Sequence, residues 1–174
     1  MAVVHNGIIE NYMEIKEFLL AQGMNFASET DTEVVAQLLE YYYKKDRDDL
    51  LGAVSKVLHR IQGAYALGIL CADRPDQLIA ARKDSPLILG YGKDANFLAS
   101  DVTAVIKYTR EVSYLEDGDV AVLTPDSVQV YVALLRPAEI SQSTWKRSFS
   151  AGRSSASYTW TLSGVRTATS PSSR

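Results

Sequence analysis

Three observations predict an α+β fold for this chain of 174 residues. Amphipathic helical spacing is concentrated before residue 63, short β-like runs fill residues 64 to 132, and several of those runs are apolar on both faces. Helices grouped first and strands later call for stacked layers, whereas alternating βαβ units would interleave the two. Strands that are apolar on both faces suit a sheet covered from both sides. The length fits one domain with a real core and is short for two.

The elements follow in order. Val3 and Val4 form an apolar start in VVHNGIIENY, residues 3 to 12, ahead of a turn at His5-Asn6-Gly7. Past that turn, Ile8, Ile9, Tyr12, Ile15 and Leu19 keep helical spacing, and Gly23 is placed to end the helix. SETDTEVVAQLLEYYYKK offers Thr30 as an N-cap with Glu33 three residues on, a capping box, and then Val34, Val35, Leu38, Leu39 and Tyr42 on one face. A third helix begins from Asp48 or Asp49 as cap, turns Leu50, Leu51, Val54, Val57, Leu58 and Ile61 inward, and stops at Gly63. The β-like runs are AYALGILCA, QLIAAR, PLILGYG, NFLAS, EVSYL, DVAVLT and SVQVYV, with DVTAVIKYT as one short helix among them.

From about residue 133 the pattern dissolves. Residues 141 to 174 hold eleven Ser, five Thr and five bases with no acid, a composition that buries little, so disorder is expected there. The domain reading is therefore 1–132 as one unit and 133–174 as a Ser/Thr/Arg-rich tail. The overall charge of −3 hides a body at −8 and a tail at +5. That tail lacks regular aromatic interleaving, and no specific nucleic-acid partner is expected.

With 47% hydrophobic residues and a mean hydropathy of −0.07, the composition is that of a soluble globular protein. The single cysteine, Cys71, excludes a disulfide framework and points to a reducing cytoplasm. No window approaches the roughly 18 apolar residues of a membrane span, and the first residues lack a signal-peptide pattern, so no membrane partner is expected.

Few residues suggest chemistry on their own. The two histidines, His5 and His59, have no Cys or second His at metal-ligand spacing, so neither a metal site nor a cofactor is expected. Glu29, Asp31 and Glu33 read as carboxylates placed against a helix macrodipole. GYGKDANF, with Gly90 and Gly92, has no Gly-Lys-Ser/Thr and no helix after it, and reads as a β-hairpin loop. Cys71 lies between Leu70 and Ala72 on a buried-looking strand, with no base beside it, and is not expected to be a nucleophile. The triplet Tyr41 to Tyr43 reads as packing.

Taken together and in this order, VVHNGIIENY, SETDTEVVAQLL, QGAYALGIL, SPLILGYGKDANFLASD and LEDGDVAVLT closely resemble the glutaminase domain of the glucosamine-6-phosphate synthase family, the isomerising glutamine–fructose-6-phosphate aminotransferases. The likeness covers residues 2 to about 131. It implies an N-terminal-nucleophile (Ntn) hydrolase fold, an αββα four-layer sandwich, incomplete here because the first strands are missing. It also implies L-glutamine as substrate, split to glutamate and ammonia, with the ammonia channelled to a sugar-isomerase domain that is absent from this chain. By motif, Asn6 and Gly7 are implied as the oxyanion hole, the Asn amide and the Gly N–H donating to the tetrahedral intermediate. Asp31 is implied to accept hydrogen bonds from the α-ammonium of glutamine, which lifts it above the helix-start reading that Glu29 and Glu33 keep.

The family's nucleophile is an N-terminal cysteine, whereas Met1-Ala2 opens this chain inside the domain. An inactive piece of a glutaminase is therefore expected, its tail translated out of frame or mispredicted. The resemblance also implies a full-length homodimer that pairs through its sugar domains. Two alternatives stand beside this reading: a noncatalytic module that keeps a weak amino-acid pocket, and a fragment of a purine-pathway amidotransferase.

Overall fold

The computed structural model describes residues 1–45, 49–93, 95–125, 127–132, 147–150 and 166–169. Its first element, strand β1 (Ala2–Ile9), is followed by helices α1 (Tyr12–Ala21), α2 (Asp31–Lys45) and α3 (Leu50–Arg60). Then come β2 (Gly63–Cys71), β3 (Arg74–Lys83), β4 (Ile88–Tyr91), β5 (Asn96–Ala99), the short helix α4 (Val102–Val105), β6 (Val112–Tyr114), β7 (Asp119–Leu123) and β8 (Ser127–Val132). Strands β9 (Arg147–Ser150) and β10 (Arg166–Thr169) complete the order. They belong to the segment expected to be a disordered tail, the rest of which lies outside the described residues.

All strand pairings between these elements are antiparallel. One sheet runs β10-β1-β2-β3-β7-β8-β9 and the other β5-β4-β6. The period-two alternation of strand side chains divides the core accordingly. Tyr65, Leu67, Ile69, Ile79, Ala81, Val120 and Val122 join Ile15, Leu19, Leu38, Leu39, Val54 and Val57 in a helix–sheet core. Ala66, Leu78, Ala80, Ala121, Leu123 and Val128 meet Leu87, Leu89, Leu98 and Leu115 in a sheet–sheet core. The result is helix layer, sheet, sheet, with α4 beside β5. Burying both faces explains why these strands read as continuous apolar runs.

The expected turn at Asn6-Gly7 is a continuation of strand. Pairing between β1 and β2 runs unbroken from Ala2↔Leu70 to Ile9↔Gly63, and the turn falls at Glu10-Asn11. Ile8 is 67% exposed and Ile9 fully buried, the alternation of a strand, so α1 starts at Tyr12 and not before. Two consecutive isoleucines fit either period, and the cross-strand partners decide between them. Asn11 fixes the junction: its Nδ2 donates to Arg60 O at 2.9 Å and its Oδ1 accepts from Gln62 N at 2.9 Å, binding the end of β1 to the end of α3. Helix α1 ends as expected at Gly23, whose φ of +81° sets up paired bonds from Met24 N to Leu19 O and from Gly23 N to Leu20 O, both 3.0 Å.

Helix α2 lies over β1, between α1 and α3. Half of its expected capping box forms, since Glu33 N donates to Thr30 Oγ1 at 3.3 Å. The other half goes elsewhere. The Glu33 carboxylate accepts from Ala27 N at 2.8 Å and from both the amide and the hydroxyl of Ser28 at 2.6 Å, tying down the loop before the helix. Asp49 caps α3 by accepting from Gly52 N at 2.8 Å. The tyrosine triplet does pack: Tyr41 stacks edge-on against Phe18 and Tyr42, and Arg60 lies 3.7 Å over the Phe18 ring.

Candidate active site

The residues singled out from the sequence lie on two elements that are in contact, β1 and the N-terminal end of α2. Asn6 and Gly7 are exposed on β1, and Asp31 is the first residue of α2. A direct bond joins the two elements, with Ile9 N donating to Asp31 Oδ2 at 3.1 Å. A carboxylate at that position also faces the positive end of the α2 dipole. Its side chain keeps 11% of its surface open to solvent. Glu29 reaches outward to Lys16 at 3.9 Å, and Glu33 serves the preceding loop.

Gly7 has φ +132°. A Cβ there would lie 2.1 Å from the carbonyl oxygen of Ala64 on the neighbouring strand, so only glycine fits without moving β1 away from β2. Its backbone N–H and the adjoining Asn6 amide are hydrogen-bond donors at consecutive exposed positions of a strand held rigidly by pairing. Such donors stabilise an oxyanion because they need no reorganisation as charge develops.

Two further residues belong to this place and were not picked out by motif. His5 is 3% exposed, and its Nδ1 lies 3.2 Å from Thr32 Oγ1 and 3.7 Å from Asp31 Oδ2. Thr32 is 1% exposed. The available signal was a polar residue on an inward face: His5 shares the parity of Val3 in β1, and Thr32 precedes the fully buried run Val34 to Ala36.

Burial pushes the Glu33 carboxyl up, but hydrogen bonds from the Ser28 hydroxyl, from the Ala27 and Ser28 amides and from Gln37 outweigh it, leaving the group below its ordinary 4.5. Tyr65, on the helix-facing side of β2, is pushed up to about 12 by burial and by the charges of Asp117 and Asp84.

Cys71 is buried and is set apart from Asn6 in two ways. Asn6 pairs with Ala66, which belongs to the sheet–sheet core, while Cys71 belongs to the helix–sheet core. It also lies five residues further along β2, about 17 Å at roughly 3.3 Å per residue. Gly90 and Gly92 fall in the β4–β5 hairpin, where Gly92 N donates to Ala95 O at 3.0 Å. A cavity of about 360 Å³, lined by Leu89, Tyr91, Ser113, Glu116 and Asp119 among others, lies apart from β1 and α2. Among the described residues no group of three or more His, Cys, Asp or Glu side chains is placed to hold a metal ion, and no helix is long and apolar enough to cross a membrane.

The family model described as "Glutamine amidotransferase domain" matches residues 1–107. The chain belongs to that family. Two curated members carry the name "Glutamine--fructose-6-phosphate aminotransferase [isomerizing]". The protein of Caldanaerobacter subterraneus subsp. tengcongensis is 57% identical over 129 residues, which are 74% of this chain and 21% of that protein. The protein of Fusobacterium nucleatum subsp. nucleatum is 56% identical over 131 residues, 75% of this chain and 21% of that protein. The chain therefore spans about a fifth of the length of these relatives. Among solved structures, the glutamine phosphoribosylpyrophosphate amidotransferase of B. subtilis, complexed with ADP and GMP, aligns with a TM-score of 0.64 and 26% identity over 75% of this chain and 28% of that one. The amidotransferase domain here thus has the Ntn-type layered fold that the resemblance implied.

Proposed function

We propose that this amidotransferase domain is the glutaminase part of an isomerising glutamine–fructose-6-phosphate aminotransferase. It releases ammonia from L-glutamine for transfer to fructose 6-phosphate in amino-sugar synthesis. The observation that carries the reading is the bond from Ile9 N to Asp31 Oδ2, which holds the Asp31 carboxylate on the same frame as the Asn6-Gly7 donors. In this role Asp31 receives the α-ammonium of glutamine, and the Asn6 amide and Gly7 N–H receive the oxygen of its side-chain carbonyl. When a thiolate adds to that carbonyl carbon, negative charge forms on the oxygen, and each donor lowers the barrier by about 2.7 to 4 kcal/mol. Collapse expels ammonia, and water then cleaves the thioester to glutamate. Cys71 is not that thiol, given its burial and its separation from Asn6. The chain supplies the half of the site that orients and polarises glutamine, and the nucleophile belongs to the whole protein. The whole enzyme is assigned to the cytoplasm and to a homodimer that pairs through its sugar domains.

Identity of 57% with a sugar-phosphate enzyme, against 26% with the phosphoribosylpyrophosphate enzyme, favours the first acceptor over the second. The remote, buried Cys71 favours one further reading for these 174 residues alone, a noncatalytic module that binds a free amino acid. Mass spectrometry decides the acceptor. The native gene product is supplied with glutamine labelled at its amide nitrogen, fructose 6-phosphate and phosphoribosyl pyrophosphate. Label in glucosamine 6-phosphate is expected; label in phosphoribosylamine would transfer the assignment to the purine reading, and label in neither would leave only the binding module.

A further inference from the structure

His5 and Thr32 are buried polar residues that face each other across the contact between β1 and α2. The His5 ring stands 3.2 Å from Thr32 Oγ1 and 3.7 Å from Asp31 Oδ2, through the same nitrogen. Four residues along β1, Ile9 N reaches that same Asp31 oxygen at 3.1 Å. The two anchor points on β1 therefore bracket Asn6 and Gly7, and both converge on the start of α2. An apolar side chain at position 5 could fill the space, but it could not set the height of α2 above the strand by a directional bond.

We propose that His5 is a positioning residue that sets the distance between the Asp31 carboxylate and the Asn6-Gly7 donors, and through it the chain length of the amino-acid amide the site accepts. This rests on the glutaminase reading of the same site. Two groups must be met at once, an α-ammonium and a side-chain carbonyl oxygen. A spacing matched to glutamine leaves asparagine, one methylene shorter, unable to meet both. A polar group left unmatched in a site built to bond it is rejected far more strongly than a missing methylene alone accounts for. Releasing the His5 tether lets the N-terminus of α2 shift against β1 and blurs that ruler.

Calorimetric titration of the full 174-residue chain with L-glutamine and L-asparagine tests this. His5→Phe keeps an aromatic ring and removes the bonds; His5→Asn returns a side-chain nitrogen near the position of Nδ1. The expected result is that His5→Phe weakens L-glutamine binding about tenfold and narrows the preference over L-asparagine by a similar factor, while His5→Asn restores both to within about threefold. Equal affinity and equal preference in wild type and His5→Phe would overturn the positioning role while leaving the glutaminase reading in place. Failure of the wild-type chain to bind L-glutamine would overturn both. If His5→Phe does not fold, Thr32→Val removes the same contact from the other side with little change of shape, and is expected to narrow the preference equally; an unchanged preference in that variant would refute the proposal.

Discussion

Gly7→Ala measures the constraint at the centre of the proposed site. The new Cβ would stand 2.1 Å from Ala64 O, whereas real Cβ atoms essentially never come within 3.0 Å of such a neighbour, so β1 and β2 must part locally by about 0.9 Å or the backbone must turn. The φ of +132° adds strain of about 1 to 3 kcal/mol for a residue with a side chain. Gly23→Ala separates the two effects, since its φ is also positive, at +81°, yet a Cβ there meets nothing within 4 Å. Gly23→Ala is therefore expected to cost about 1 kcal/mol, the conformational part alone. Gly7→Ala is expected to cost about 2 to 4 kcal/mol, lowering a urea midpoint by about 1.3 to 2.7 M if the slope is about 1.5 kcal/mol/M. Equilibrium urea unfolding followed by circular dichroism measures both variants against wild type. A loss at Gly7 no greater than at Gly23 would refute the close approach of the two strands.

Three further outcomes follow from the same geometry. Asp31→Asn keeps an oxygen for Ile9 N and loses the charge, so stability is expected to change by less than about 1 kcal/mol while L-glutamine affinity falls roughly 10- to 100-fold, the worth of a charge-assisted bond; calorimetry and urea unfolding together read this out. Because the folded pKa of Glu33 lies below its ordinary 4.5, the stability it contributes is complete above that pH and is lost as pH falls through the lowered value; Glu33→Gln should reduce stability at pH 7 by about 1 to 2 kcal/mol and flatten the acid limb of the stability–pH curve. For Tyr65 the sign is reversed, since a phenol whose folded pKa is raised to about 12 contributes stability in full below 10 and loses it as pH rises through 12; ultraviolet difference titration should find a tyrosine that ionises late, and Tyr65→Phe should remove that step.

Much of this architecture was readable from spacing because burial imposes it. Ile15 and Leu19, Leu38 and Leu39, Val54 and Val57 point where a 3.6-residue period sends them, and the doubly apolar β2, β3 and β7 lie between two other layers. The start of α1 was not readable, since Ile8 and Ile9 satisfy both periods and only pairing with Ala64 and Gly63 keeps them in β1. Glu33 followed a local capping rule halfway, then spent its carboxylate on Ala27 and Ser28, a choice set by how the preceding loop folds back. At the proposed site, Asn6, Gly7 and Asp31 could be named from motif, but not the bond that ties β1 to α2, because Ile9 and Asp31 are 22 residues apart. His5 and Thr32 carried only the faint signal of polar residues on inward faces.

The most direct measurement is a nitrogen-15 NMR titration of the chain with L-glutamine, with D-glutamine as control. The expected result is that the largest shifts fall on the Gly7 backbone amide, the Asn6 side-chain amide and the Ile9 amide held by Asp31, and that D-glutamine leaves them in place. Shifts centred on β2 around Cys71, or none at Gly7 with saturating L-glutamine, would contradict the assignment of this junction as the glutamine site.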